Sequence, residues 1–130
     1  MNTKEDFWKD AVVVYTYTRA QAIADGELAD VSAIGKEYGF KYPIAVTSAL
    51  WNIIEKSAKV TGVTWDWIMW DILTMMNFTI QRQESSDRCE FVFSAVLEED
   101  KEGELIQVWS LINGGDDGRP VITIMLRGED

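Results

Sequence analysis

The apolar residues of this chain change period once, and that change limits the folds open to it. From Trp65 to Met76 they recur at helical spacing, with Trp65, Ile68, Met69, Ile72, Leu73 and Met76 on one stripe. From Cys89 to Leu97 they alternate instead, placing Phe91, Phe93, Ala95 and Leu97 on one face. The first period belongs to a helix and the second to a half-buried strand. Helices first and hairpin strands afterwards is the α+β arrangement, with the helices packed on one face of an antiparallel sheet. The chain has 130 residues, which suits a single domain spanning 1–130 with a real core.

Four short helices are predicted ahead of the strands. Thr18 caps the first, which runs to about Asp25 and stops at Gly26; Ala20, Ile23 and Ala24 share its apolar side. Asp30 is the expected N-cap of the second and Gly39 its stop, with Val31, Ile34 and Tyr38 in line. Pro43 restarts the chain as extended backbone. Thr47 or Ser48 caps the third helix, about 48–59, with Leu50, Trp51, Ile54 and Ala58 on one side. Thr64 caps the fourth, 65–76, and here Trp67, Trp70 and Met75 fall off the main stripe. Three tryptophans cannot all point inward from one helix, so at least one is expected in solvent.

Three strands follow, 89–97, 105–112 and 120–126, joined by a charged turn at 98–103 and a glycine-rich turn at 113–118. Ala11–Tyr17 is β-branched and aromatic, and is expected to add a fourth strand. The predicted fold is therefore about four short helices on a three- to four-stranded antiparallel sheet.

Composition removes whole classes of chemistry. There is no histidine, so Ser-His-Asp and Cys-His catalysis and His-ligated zinc are excluded. Cys89 is the single cysteine, which leaves no internal disulfide and no cysteine metal cluster. No apolar run reaches the ~18–20 residues of a membrane helix. The N-terminus lacks the pattern of a signal peptide, so a cytoplasmic location is expected. The acids Glu55, Asp66 and Asp71 lie on neighbouring helices, but nothing in the sequence pairs them for acid–base work. The expectation is a non-enzymatic protein without metal or cofactor.

The net charge is -10 and it is uneven. Residues 1–83 hold 10 acids and 8 bases, or -2; residues 84–130 hold 12 acids and 4 bases, or -8. Direct binding to a nucleic-acid backbone needs the opposite sign. A basic protein partner, or one that normally binds nucleic acid, is favoured electrostatically.

The string Tyr17-Thr18-Arg19-x-Gln21-Ala22-x-x-Asp25-Gly26-x-Leu28-x-Asp30-Val31-Ser32 is distinctive. So are the step Gly39-Phe40-x-x-Pro43, the helix start from Ala45 to Trp51 and the strand from Gly115 to Leu126. Together they resemble a small uncharacterised family found in bacterial genomes, plasmids and phages. The resemblance spans nearly the whole chain and is loosest between 60 and 104. It implies a mobile-element origin and carries over no activity and no catalytic residue.

Three features are candidates for a surface with a role. Glu98, Glu99, Asp100, Glu102 and Glu104 form an acidic turn, which either faces a partner or is simply solvated and protects a sheet edge. Asp116 and Asp117 sit in the glycine-rich turn, where a hairpin is favoured over a phosphate cradle or calcium loop because a strand follows and no ligand spacing is present. Trp67 and Trp70 are candidate apolar anchors. The leading expectation is an acidic protein-binding module of a mobile element, acting as an inhibitor of a host nucleic-acid-binding or defence protein. The alternatives are a small-molecule pocket near Tyr17, Arg19, Gln21 and Trp51, or a structural homo-oligomer.

Overall fold

The computed structural model describes residues 17–83 and 87–129. The helices are α1 (Arg19–Ala24), α2 (Ser32–Tyr38), α3 (Ser48–Thr61) and α4 (Trp65–Arg82). The strands are β1 (Leu28–Asp30), β2 (Ile44–Thr47), β3 (Arg88–Ala95), β4 (Glu104–Gly114) and β5 (Pro120–Leu126). They form one five-stranded sheet in the order β1-β2-β5-β4-β3. The α+β class holds, but the sheet is mixed: β2 and β5 run parallel and every other pair is antiparallel.

This corrects the expected three- to four-stranded antiparallel sheet. β1 and β2 are three and four residues long, too short for a period to show. All but Tyr17 of the predicted strand Ala11–Tyr17 lies outside the described residues. The meander β3-β4-β5 is as predicted, and β2 adds to its far side with Ile44 opposite Ile122 and Val46 opposite Ile124.

Local rules account for the helix ends. Thr18 and Gln21 make a reciprocal capping box at α1, and Gly26 follows the helix at φ 82°. Thr47 Oγ1 accepts from Leu50 N at 3.4 Å to start α3, and Gly62 closes that helix in the left-handed region. At α2 the expected cap is displaced by one residue. Val31 occupies the N-cap position, while Asp30 Oδ1 accepts from Ser32 N at 2.9 Å. α4 continues to Arg82, well past the expected end at Met76.

The core lies between one face of the sheet and helices α2, α3 and α4. Ile44, Val46, Leu50, Ile54, Met69, Ile72, Leu73, Met76, Phe93 and Ile124 are all at most 2% exposed there. α4 and β3 pack together with only residues 83–87 between them, so they run in opposite directions. The start of α4 and the end of β3 therefore share one end of the molecule. The opposite sheet face carries Ala45, Trp109, Val121 and Met125, all buried.

Candidate interaction surface

α1 is held to that second face through its own N-terminus. Arg19 N and Ala20 N donate to Oδ1 and Oδ2 of Asp116 at 2.8 and 3.0 Å. These donors, with Arg19 nearby, hold the Asp116 carboxyl below its ordinary range. Arg19 Nη1 donates to Thr123 Oγ1 at 2.6 Å and Nη2 to the Ile122 carbonyl at 2.7 Å. Burial lowers the Arg19 pKa, opposed by Asp30 and Asp116. Tyr17 donates its hydroxyl to Asp25 Oδ2 at 2.6 Å, which with the nearby charge pushes the phenol up to about 12.

The residues proposed for a pocket near Arg19 are thus engaged with one another and with the sheet. Gln21 Oε1 is used by Thr18 N at 2.9 Å in the capping box. Trp51 is not among them. It stands on α3, on the other side of the sheet, where Nε1 donates to Glu55 at 2.7 Å and the ring meets Trp65 edge-on at 5.1 Å. The sheet therefore separates Trp51 from Arg19.

The glycine-rich segment is a hairpin turn. Gly115 N donates to the Arg119 carbonyl, and Asp117 Oδ1 accepts from Arg119 N at 3.0 Å. Gly118 takes φ 82°, a conformation that favours glycine. Asp116 is therefore a structural cap, while Asp117 is exposed and pairs with Arg119 at 3.5 Å. Among the described residues no group of three or more acids or Cys is placed to hold a metal.

The acids Glu98, Glu99, Asp100, Glu102 and Glu104 are all exposed around the β3–β4 turn. Lys101 pairs with Glu98 at 3.8 Å, an exposed contact of little energetic weight. This turn follows the end of β3, and so lies at the same end of the molecule as the start of α4.

α4 has two apolar faces. Ile68, Met69, Ile72, Leu73 and Met76 face the sheet and are buried. On the opposite side Trp67 is 69% exposed and Phe78 50%, with Trp70, Thr74 and Met75 between them also exposed. At 100° per residue, positions 67, 70, 74 and 78 lie on one line. The Trp70 ring leans on Tyr38 with centroids 4.6 Å apart, and Arg82 lies over Phe78 at 4.0 Å. A cleft of about 230 Å³ opens between Ile34, Glu37, Asp66, Trp67 and Trp70. A second, about 340 Å³, runs between Asp71, Thr74 and Met75 of α4 and Val92, Ser94 and Leu105 of the sheet. Leu105 is 73% exposed.

Trp67 and Trp70, singled out in the sequence, do share a cleft. Phe78 and Leu105 were not singled out. Phe78 lies beyond the predicted helix end, and a lone Leu beside a charged turn carries no sequence signal of its own. Extending the helical period from Met76 to Ile80 places Phe78 in line with Trp67 and Trp70.

A small α+β domain with an unsheltered aromatic helix face is the class that this geometry defines. The chain belongs to the family of unknown function DUF6573, whose model matches residues 4–130. No curated protein and no solved structure matches it.

Proposed function

We propose that this domain is a non-enzymatic protein-binding module whose docking surface is the outer face of α4, bordered by the acidic β3–β4 turn. The observation that carries this reading is the aromatic line Trp67, Trp70 and Phe78, exposed on a helix whose other face already fills the core. Large exposed aromatics grouped on one face mark interaction sites, and Trp is the residue type most enriched among binding hot spots. Asp66 and Asp71 border that face and the turn acids lie at the same end of the molecule, so a partner with a basic surface fits best. A nucleic-acid-binding protein has such a surface, and this domain would compete with nucleic acid for it. The sequence resemblance, which implies a mobile-element origin, supports reading such competition as anti-defence.

The test is quantitative affinity capture from host lysate with salt-stepped elution, run in parallel on three proteins. These are the native chain, Trp67→Ala with Phe78→Ala, and a variant neutralising Glu98, Glu99, Asp100, Glu102 and Glu104. A specific protein retained by the native chain, lost with the aromatic pair and released at lower salt by the charge variant is expected. Identical capture by all three would refute the reading.

A small-molecule site is favoured by one observation on the other sheet face. Trp109 Nε1 is buried without a hydrogen-bond partner, beside a cavity of about 200 Å³ lined by Glu90, Gln107 and Arg127. A buried unpaired donor costs free energy that a ligand acceptor would relieve. A shift of the Trp109 indole N–H signal with a small molecule that co-purifies with the protein would support this second reading; no co-purifying molecule would count against it.

A further inference from the structure

The hydrogen-bond parity of β3 defines a short open slot on the sheet's edge. Ile112 N donates to the Asp87 carbonyl at 2.8 Å, which fixes the alternation of the β3–β4 ladder. Cys89, Phe91, Phe93 and Ala95 therefore exchange bonds with β4, and Arg88, Glu90, Val92 and Ser94 turn their backbone groups outward. The two ends of that outward row are closed within the chain. Gln83 Nε2 donates to the Arg88 carbonyl at 3.0 Å, and Val96 N donates to the buried Ser57 hydroxyl at 3.1 Å. Between them the N–H and C=O groups of Glu90, Val92 and Ser94 have no partner among the described residues. At the other edge of the sheet β1 has only three residues, which leaves little to pair with.

This slot adjoins the cleft between α4 and the sheet, where Asp71, Thr74, Met75 and Leu105 stand beside Val92 and Ser94. We infer that the β3 edge is a strand-addition site for an extended, basic segment of the partner, whose backbone pairs with Glu90, Val92 and Ser94 and whose side chain enters the Met75–Leu105 cleft. The inference rests on the protein-binding reading above and specifies the form that the partner takes. Backbone pairing supplies affinity in this mode, and pockets for alternate side chains supply selectivity. Charge decides the occupant. Glu90 lies in the slot, in an exposed pair with Arg88 at 3.9 Å that leaves its charge little offset. Arg127 stands beside it, but Asp71 borders the slot, the acidic turn lies at its end and the whole chain carries -10. A second copy would bring the same charge against itself; a lysine-rich segment would not.

The experiment uses the full chain labelled with nitrogen-15 and an end-blocked hexapeptide of alternating Lys and Val. Saturable shifts and slowed exchange are expected at the amides of Glu90, Val92 and Ser94, with those of Cys89, Phe91 and Phe93 still protected by β4. Val92→Pro removes an outward N–H without touching the ladder, and should weaken the peptide about tenfold, the equivalent of one lost hydrogen bond. Ser94→Pro does the same from a second position, should the first variant fold poorly. An alternating Glu-Val peptide should not saturate.

Shifts confined to Trp67 and Phe78 would overturn the slot and leave the α4 reading standing. Edge shifts that persist in Trp67→Ala with Phe78→Ala would support the slot and remove α4 from the interface. Equal binding of both peptides would overturn the charge argument. A doubled mass by analytical ultracentrifugation without peptide, abolished by Val92→Pro, would assign the slot to a second copy and overturn the proposal.

Discussion

The two faces of α4 make opposite predictions for stability. Ile72 is fully buried, so Ile72→Ala removes buried methylenes and leaves a cavity, at a cost of about 2–5 kcal/mol. Trp67 is 69% exposed in the folded chain. Only about a third of the burial contribution of a large side chain, roughly 0.5–1 kcal/mol, is therefore lost in Trp67→Ala. Alanine recovers about half a kcal/mol through its higher helix propensity. The net change at Trp67 is within about 0.5 kcal/mol of zero. For a domain of this size each kcal/mol moves the midpoint by roughly 4 °C. Thermal melts followed by far-ultraviolet circular dichroism should thus show Ile72→Ala lowered by roughly 8–20 °C and Trp67→Ala by at most ~2 °C. Phe78→Ala should behave like Trp67→Ala. If Trp67→Ala melted as early as Ile72→Ala, the outer face would be a packed surface and the docking argument would fail.

Three further outcomes follow from single contacts. Asp116 has a depressed pKa when folded, so its contribution is present above the ordinary carboxyl range and is lost as pH falls through the folded value. Acid titration of stability should show a steeper loss below about pH 4 in the native chain than in Asp116→Asn. Tyr17 has a raised pKa of about 12, so its contribution is complete below pH ~10 and disappears as pH rises toward 12. Absorbance titration near 295 nm should show a late-ionising phenol that is lost in Tyr17→Phe and moves earlier in Asp25→Asn. Ser57→Ala strands Val96 N where the edge leaves β3, and denaturant melts should report a cost of about 1–3 kcal/mol.

The periodic parts of the fold were legible in the sequence because they are long enough to repeat. The 18 residues of α4 and the alternation of β3 reveal themselves, and Thr18, Gly26, Thr47 and Gly62 mark their helix ends through side chains and backbone freedom. β1 and β2 were not legible. Ile44-Ala45-Val46 is a short apolar run, and its burial comes from parallel pairing with β5 more than 70 positions away. Arg19 stands more than 100 positions before β5 in the chain, yet its guanidinium reaches Thr123 and the Ile122 carbonyl on that strand. Its role is set by topology, which no local spacing encodes. The capping role of Asp116 was hidden for the same reason, since the turn that holds it is local and the helix that it caps is not.

The acidic half of the chain gains a position from the fold that composition could not give. Its turn acids follow one end of the β3 edge and Glu90 lies within it, paired with Arg88 at 3.9 Å, and β3 lacks the Pro and inward charges that commonly protect such edges. Acids at the rim discourage pairing between copies of a chain that is itself acidic, while leaving the edge open to a basic strand. The Met75–Leu105 cleft joins that edge to the outer face of α4, so the aromatic line and the open backbone form one continuous surface. On the strand-addition proposal, negative charge here both opposes self-association and favours a basic partner. Reversing Glu90 and Asp71 together to Lys should therefore weaken binding of the Lys-Val peptide and not strengthen self-association, because lysine opposite lysine repels as acid opposite acid does. Self-association of that variant, measured by sedimentation, would show that charge does not govern this edge.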